Sequence, residues 1–175
     1  MRSLHKALVV LSLMVIAVMV GGVGGREALA TQPRFVDNGD GTITDNVTKL
    51  QWEQKSTTCP GVHCVTDLYT WSDAMLSFIS AVNDSSADGV LSSGLGGHRD
   101  WRLPTIDELR SILVSPCPFS PCIDPIFAPA EAGYWSSTSS ASTPSSAWGV
   151  VFANGGVPPN VKNGSLGVRA VRGGR

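Results

Sequence analysis

The residues with the most evident chemical capacity stand together: His98, Arg99, Asp100 and Arg102, around Trp101. An imidazole, a carboxylate and two guanidiniums so close in sequence could supply acid–base chemistry. The flanking residues argue for a plainer role. Leu103-Pro104 keeps the chain extended, because the residue before proline is pushed out of the helical region, and Thr105 then stands at a helix N-cap with Glu108 three residues on. A loop ends here and a short helix begins. Its charges are read as an Asp–Arg pair holding the loop to the core, since isolated buried charges are not tolerated. No other histidine completes a triad or a metal set: His5 lies in an apolar leader and His63 between two close cysteines. Serine is abundant, but no G-x-S-x-G elbow occurs. The chain is therefore read as non-enzymatic, with no catalytic residue, metal site or cofactor.

Cys59, Cys64, Cys117 and Cys122 form two close pairs, each enclosing four residues that include proline or glycine. Four cysteines in an exported chain read as disulfides with three possible pairings, of which local closure is favoured because contact probability falls with loop length. A zinc site from two C-x4-C pairs fits the usual knuckle spacing less well. The acidic run at Asp37 to Asp45 invites a calcium loop. With Gly41 at the sixth position, however, the first and twelfth fall on Val36 and Val47, which carry no side-chain oxygen.

Arg2, His5 and Lys6 precede an apolar run from Ala7 to Val20, and Ala28-Leu29-Ala30 follows. These are the parts of a secretory signal over residues 1–30, leaving residues 31–175 as one domain with a core of its own. Removing Arg2, Lys6, Arg26 and Glu27 takes the count from 13 basic and 14 acidic residues to 10 and 13, a net charge of −3. General affinity for nucleic acid is not expected, nor is stable membrane insertion after cleavage. The expected location is periplasmic or secreted.

The elements that must position any site follow in order. Phe35-Val36, Thr42-Ile43-Thr44 and Leu50-Gln51-Trp52, separated by Asn-Gly and Asp-Gly turns, predict a β-meander. Thr70 caps a helix whose apolar face is Trp71, Ala74, Met75, Phe78, Ile79 and Val82. A second helix is predicted from Thr105 to Leu113, and beyond it Ile123, Ile126 and Phe127 anchor an irregular segment. Strands are predicted at 134–138, 147–152 and 168–172, while Val157-Pro158-Pro159-Asn160 cannot lie in the middle of a sheet.

With these elements ordered, the residues resemble the family of exported bacterial domains found at the C-terminus of the Legionella collagen-like adhesin. The pieces that carry the resemblance are Phe35 to Asn46 with Leu50-Gln51-Trp52, Trp71-Ser72-Asp73-Ala74, Asp100 to Thr105 with Glu108-Leu109, Tyr134 to Thr138, Ala147-Trp148 and Val168 to Arg172. The family usually has glycine where this chain has Lys49. The resemblance implies an α+β, C-type lectin-like fold related to formylglycine-generating enzymes: a twisted antiparallel sheet, two flanking helices, long loops, and terminal strands that meet. It also implies a binding role for the late loops, with a sulfated or other acidic glycan as one candidate ligand.

The residues proposed to bind are Tyr134 and Trp148 as stacking rings, with Asn154, Asn160, Lys162 and Asn163 as hydrogen-bonding partners. Arg169, Arg172 and Arg175 could add charge, or could equally be satisfied by Asp or Glu. Pro159-Asn160 has Pro158 where calcium-dependent sugar sites need an acid, so no calcium is expected. A glycan or an envelope protein is the expected partner. The alternatives are a structural or protein-interaction module, or an oxidative enzyme of the formylglycine-generating type.

Overall fold

A computed structural model describes residues 32–59, 61–84, 94–117, 119–128 and 133–174. The signal expected at residues 1–30 and Arg175 lie outside the described residues.

The meander forms as read. Strands β1 (Phe35–Asp37), β2 (Thr42–Asp45) and β3 (Gln51–Glu53) pair antiparallel in sequence order. Asp37 Oδ1 accepts from the Gly39 N–H at 2.8 Å in the first turn, where Gly39 takes a φ of +75°. In the second turn Asp45 accepts from Val47 N at 2.9 Å and pairs with Arg34 at 3.0 Å. Lys49 there adopts a φ of +62°. A side chain in the left-handed region is disfavoured by roughly 1–2 kcal/mol, and this is the position where the resemblance led glycine to be expected. Lys49→Gly is expected to raise stability by about 0.5–1 kcal/mol after the entropic cost of glycine. A urea melt whose midpoint falls instead would show that the lysine makes compensating contacts.

The strand at the chain's far end, β7, covers only Val171–Arg172 and pairs with β3, giving the order β1-β2-β3-β7. The first and last strands therefore share one sheet. Residues 168–170, expected in that strand, lie outside the ladder; the Ala170 N–H is taken by the Glu53 carboxylate at 2.9 Å.

The expectation of a single sheet is corrected. Strands β4 (Gly133–Ser139), β5 (Ser146–Val151) and β6 (Pro159–Val161) form a second antiparallel sheet, in that order. The segment 102–104 lies between the two. Arg102 pairs with Val171 on one side, and the Pro104 carbonyl accepts from Ser137 N on the other at 2.8 Å. Proline has no N–H with which to extend a ladder, so the sheets meet through single bridges. Pro159 lies in the outermost strand, as two prolines require.

Helix α1 runs through Trp71–Asp73, a π turn at Ala74–Phe78, and Ile79–Asn83. Thr70 Oγ1 caps it by accepting from Asp73 N. Ala74, Phe78 and Val82 are buried, one helical turn apart, whereas Met75, expected on the same face, is 42% exposed. Helix α2 (Ile106–Ser111) carries the complete capping box: Thr105 accepts from Glu108 N, and Glu108 accepts from Thr105 N. Glu108 also takes a bidentate pair from Arg102, both bonds 2.7 Å.

Two apolar clusters hold the layers together. One joins the first sheet to α2 through Ile43, Trp52, Leu109, Phe127, Tyr134 and Phe152; the other seats α1 on Trp101, Leu103, Trp135 and Val168. Both disulfides are local, Cys59–Cys64 and Cys117–Cys122. Loops this short contribute about 2 kcal/mol each by the chain-entropy argument. Among the described residues no helix is long and apolar enough to cross a membrane.

Candidate functional site

The ladder between β5 and β6 decides which of the expected binding residues share a surface. Ser146 faces Val161, Ala147 faces Asn160 and Trp148 faces Pro159. Directly opposed residues project to the same side, and sides alternate along each strand. Trp148, Pro159 and Val161 therefore occupy one face of the ribbon, and Asn160 and Lys162 the other. The six expected residues do not form one constellation.

On the first face, Trp148 is half-buried, Pro159 exposed and Val161 59% exposed. Trp148 belongs to neither apolar cluster, and its indole N–H donates to no described residue. The other tryptophans contrast with it. Trp71, Trp101 and Trp135 donate to the carbonyls of Ser136, Leu95 and Tyr69 at 2.8–2.9 Å, and Trp52 is fully buried.

On the opposite face, Lys162 lies 4.0 Å from the Trp71 ring centroid and donates to Ser139 Oγ at 2.7 Å. It pairs with no described carboxylate. Asn160 donates to the Pro158 carbonyl, and Asn154 accepts from Gly156 N within its own turn, so both amides are partly occupied in shaping the loops. Asn163 is exposed.

Tyr134 is a correction. Expected as an exposed stacking ring, it is 1% exposed, with its ring 5.1 Å from that of Phe152 and 5.6 Å from the Arg169 guanidinium. It cannot meet a ligand from solution. Its strand packs against the first apolar cluster, so the inward position falls to the aromatic.

The basic residues are also placed differently from a polyanion surface. Arg169 is wholly buried, donating to the Glu53 carbonyl at 2.6 Å and the Phe127 carbonyl at 2.8 Å. Arg172 pairs with Asp100 at 2.6 Å and also bonds Gln51 Oε1. An Asp–Arg tie does hold the 98–102 loop, but its arginine comes from the last strand rather than from the loop, and its carboxylate is exposed where a buried or half-buried pair was expected. Arg172 holds the exposed Asp100 carboxyl below the usual carboxylate range.

Sequence reasoning missed a buried ionic group. Glu53, fully buried, lies 2.8 Å from Lys55 Nζ and 2.7 Å from His63 Nδ1, and its second oxygen accepts from Ala170 N. Lys55 Nζ is also 4.5 Å from the Phe78 ring centroid. Burial pushes the Glu53 carboxyl up, but Lys55 and His63 outweigh that and hold it below the ordinary range. The pairing alone had a local signal, opposite charges two residues apart at the end of β3; the burial had none. A carboxylate–imidazole pair is acid–base machinery, yet neither groove described here is lined by it.

Among the described residues, two grooves bear on the site. One, of about 340 Å³, is mostly apolar and lies between α1 and the 102–105 segment, with Met75, Ile79 and Leu103 in its walls. The other, of about 430 Å³, is half polar and runs between α2 and the turn after β5, lined by Asp107, Arg110, Leu113, Gly155 and Val157. Among the described residues no group of three or more His, Cys, Asp or Glu could hold a metal ion.

The fold is thus an α+β domain of two small antiparallel sheets with open edges, stapled by two disulfides, whose half-exposed tryptophan lies on the outer ribbon. The chain belongs to the Lcl C-terminal domain family, whose model matches residues 41–172. No curated protein matches it.

Proposed function

We propose that this is an exported, non-enzymatic binding domain of C-type lectin-like fold that recognises a carbohydrate on the Trp148 face of the β5–β6 ribbon. Its place of action is the periplasm or the cell exterior, where two disulfides persist. The carrying observation is Trp148 itself: a half-exposed indole outside both cores, with its N–H donated to no described residue and Pro159 and Val161 beside it. A flat apolar platform with one free donor suits the C–H face of a sugar ring and one of its hydroxyls.

The cation inventory favours a neutral sugar over a sulfated or otherwise acidic one. Arg34, Lys55, Arg102 and Arg172 each face a carboxylate, Arg169 is buried, and Arg110 lies 3.9 Å from Asp107, so that one charge of each sign stands there; Lys162 is on the opposite face of the ribbon and Lys49 is in the turn between β2 and β3. A glycan array read at low and high salt tests this. The expected hits are neutral oligosaccharides that persist as salt rises. Hits confined to acidic glycans and lost at high salt would transfer the reading to the Lys162 face.

A second reading, an envelope protein-interaction module, rests on Phe119. It is 83% exposed within the Cys117–Cys122 loop. An array with no hits, followed by capture of an envelope protein that depends on Phe119, would favour it.

A further inference from the structure

We propose that the groove between α2 and the turn after β5 is a second sugar subsite continuous with the Trp148 platform, so that the ligand is an oligosaccharide of at least two units. This rests on the platform reading and extends it.

The ladder supplies the continuity. Trp148 faces Pro159, Gly149 N donates to the Pro158 carbonyl, and Val151 bridges Gly156. Followed along this register, Val157 opposes Val150 on the same side as Trp148 and Pro159. Pro159 borders the platform and Val157 lines the groove. Two residues of strand separate them by roughly 7 Å, on the scale of one sugar unit. Helix α2 is set at that level by its own first turn, where Ile106 N donates to Thr138 Oγ1 on the strand beside Trp148. Asp107 and Arg110, one turn apart, then overhang the groove.

The chemistry of that wall suits hydroxyl groups. Asp107 Oδ1 and Arg110 Nη1 are 3.9 Å apart, at the outer limit of an ion pair, with side chains 88% and 59% exposed. No hydrogen bond joins them, so the hydrogen-bonding capacity of both groups is open to a ligand. The carboxylate can accept from two adjacent hydroxyls, while the guanidinium donates to a ring or hydroxyl oxygen. Leu113 and Val157 supply the apolar contact beneath. A neutral sugar matches a wall that carries one charge of each sign.

The test is titration calorimetry of the full domain with a panel of neutral oligosaccharides of one to six units, for the wild type, Asp107→Asn, Arg110→Gln and Trp148→Ala. All three substituted residues lie outside the apolar clusters, and cooperative melts, unshifted for the two groove variants and lowered by no more than a few degrees for Trp148→Ala, verify the fold. Affinity is expected to rise from one unit to three. Each groove substitution should remove about tenfold of the longer ligands' affinity, the scale of one charge-assisted hydrogen bond, and leave single-sugar binding unchanged. Trp148→Ala should weaken both by about 30-fold or more. Long-ligand binding that ignores Asp107 and Arg110 but needs Trp148 would overturn the groove and leave the platform standing. A wild type that binds none of the panel would remove both.

Discussion

Glu53→Gln is expected to lower stability by about 3–5 kcal/mol, the range for leaving a buried charge unpaired. The glutamine carboxamide can still accept from Ala170 N, but its NH2 would then face Lys55 Nζ and His63, where the native chain has a carboxylate oxygen. The ammonium of Lys55, almost wholly buried, would lose its counter-charge. Folding stabilities are about 5–15 kcal/mol in total, so the loss is a large share, and the thermal midpoint should fall by roughly 10–20 °C.

The pH dependence has a definite sign. The folded Glu53 carboxyl titrates below the ordinary glutamate range, so its contribution is present above the unfolded value and is lost as pH falls through the folded one. Asp45, despite its burial, is held low by Arg34, and Glu108 likewise by Arg102, and both act in the same direction. Melts across an acid series should therefore show a shallower acid limb in Glu53→Gln, with the remaining slope carried by Asp45, Glu108 and the Arg172-paired Asp100. An unchanged midpoint at neutral pH would mean that the ionic group is not closed to water.

Trp148→Ala is expected to weaken glycan binding by about 30-fold or more, since a central tryptophan on a binding surface commonly contributes 2 kcal/mol or above. The fold should tolerate the change. Trp148 joins neither apolar cluster and its side chain bonds no described residue, so a destabilisation of about 1 kcal/mol is expected. Separating the two effects requires affinity and thermal midpoint from the same preparation. A large fall in both would place Trp148 in the structure rather than the site.

What was legible in the sequence was local. The Thr105–Glu108 box, the Thr70 cap, the turns of the meander, the close cysteine pairs and the edge position of Pro159 each depend on residues within a few positions of one another. Lys49 was legible by departure: where the resemblance led glycine to be expected, the backbone does take a positive φ. What was not legible depends on distant partners. Glu53 is buried because Ala170, 117 residues away, and the returning β7 strand cover it. Strand alternation alone would have turned it outward from Trp52. Tyr134 and Trp148 both read as strand aromatics, and only the packing of the second sheet turns one inward and leaves the other half in water. The division of the binding residues between two faces required the β5–β6 register, which no local signal fixes.

The central claim is that Trp148 meets the ligand. The five tryptophans give five indole N–H resonances in a nitrogen-15 spectrum, and Trp148→Phe identifies the one in question. During titration with the strongest neutral oligosaccharide from the array, that resonance is predicted to shift furthest and to saturate, while those of Trp52, Trp101 and Trp135 hold their positions. Saturable binding with the Trp148 resonance unmoved would contradict the account.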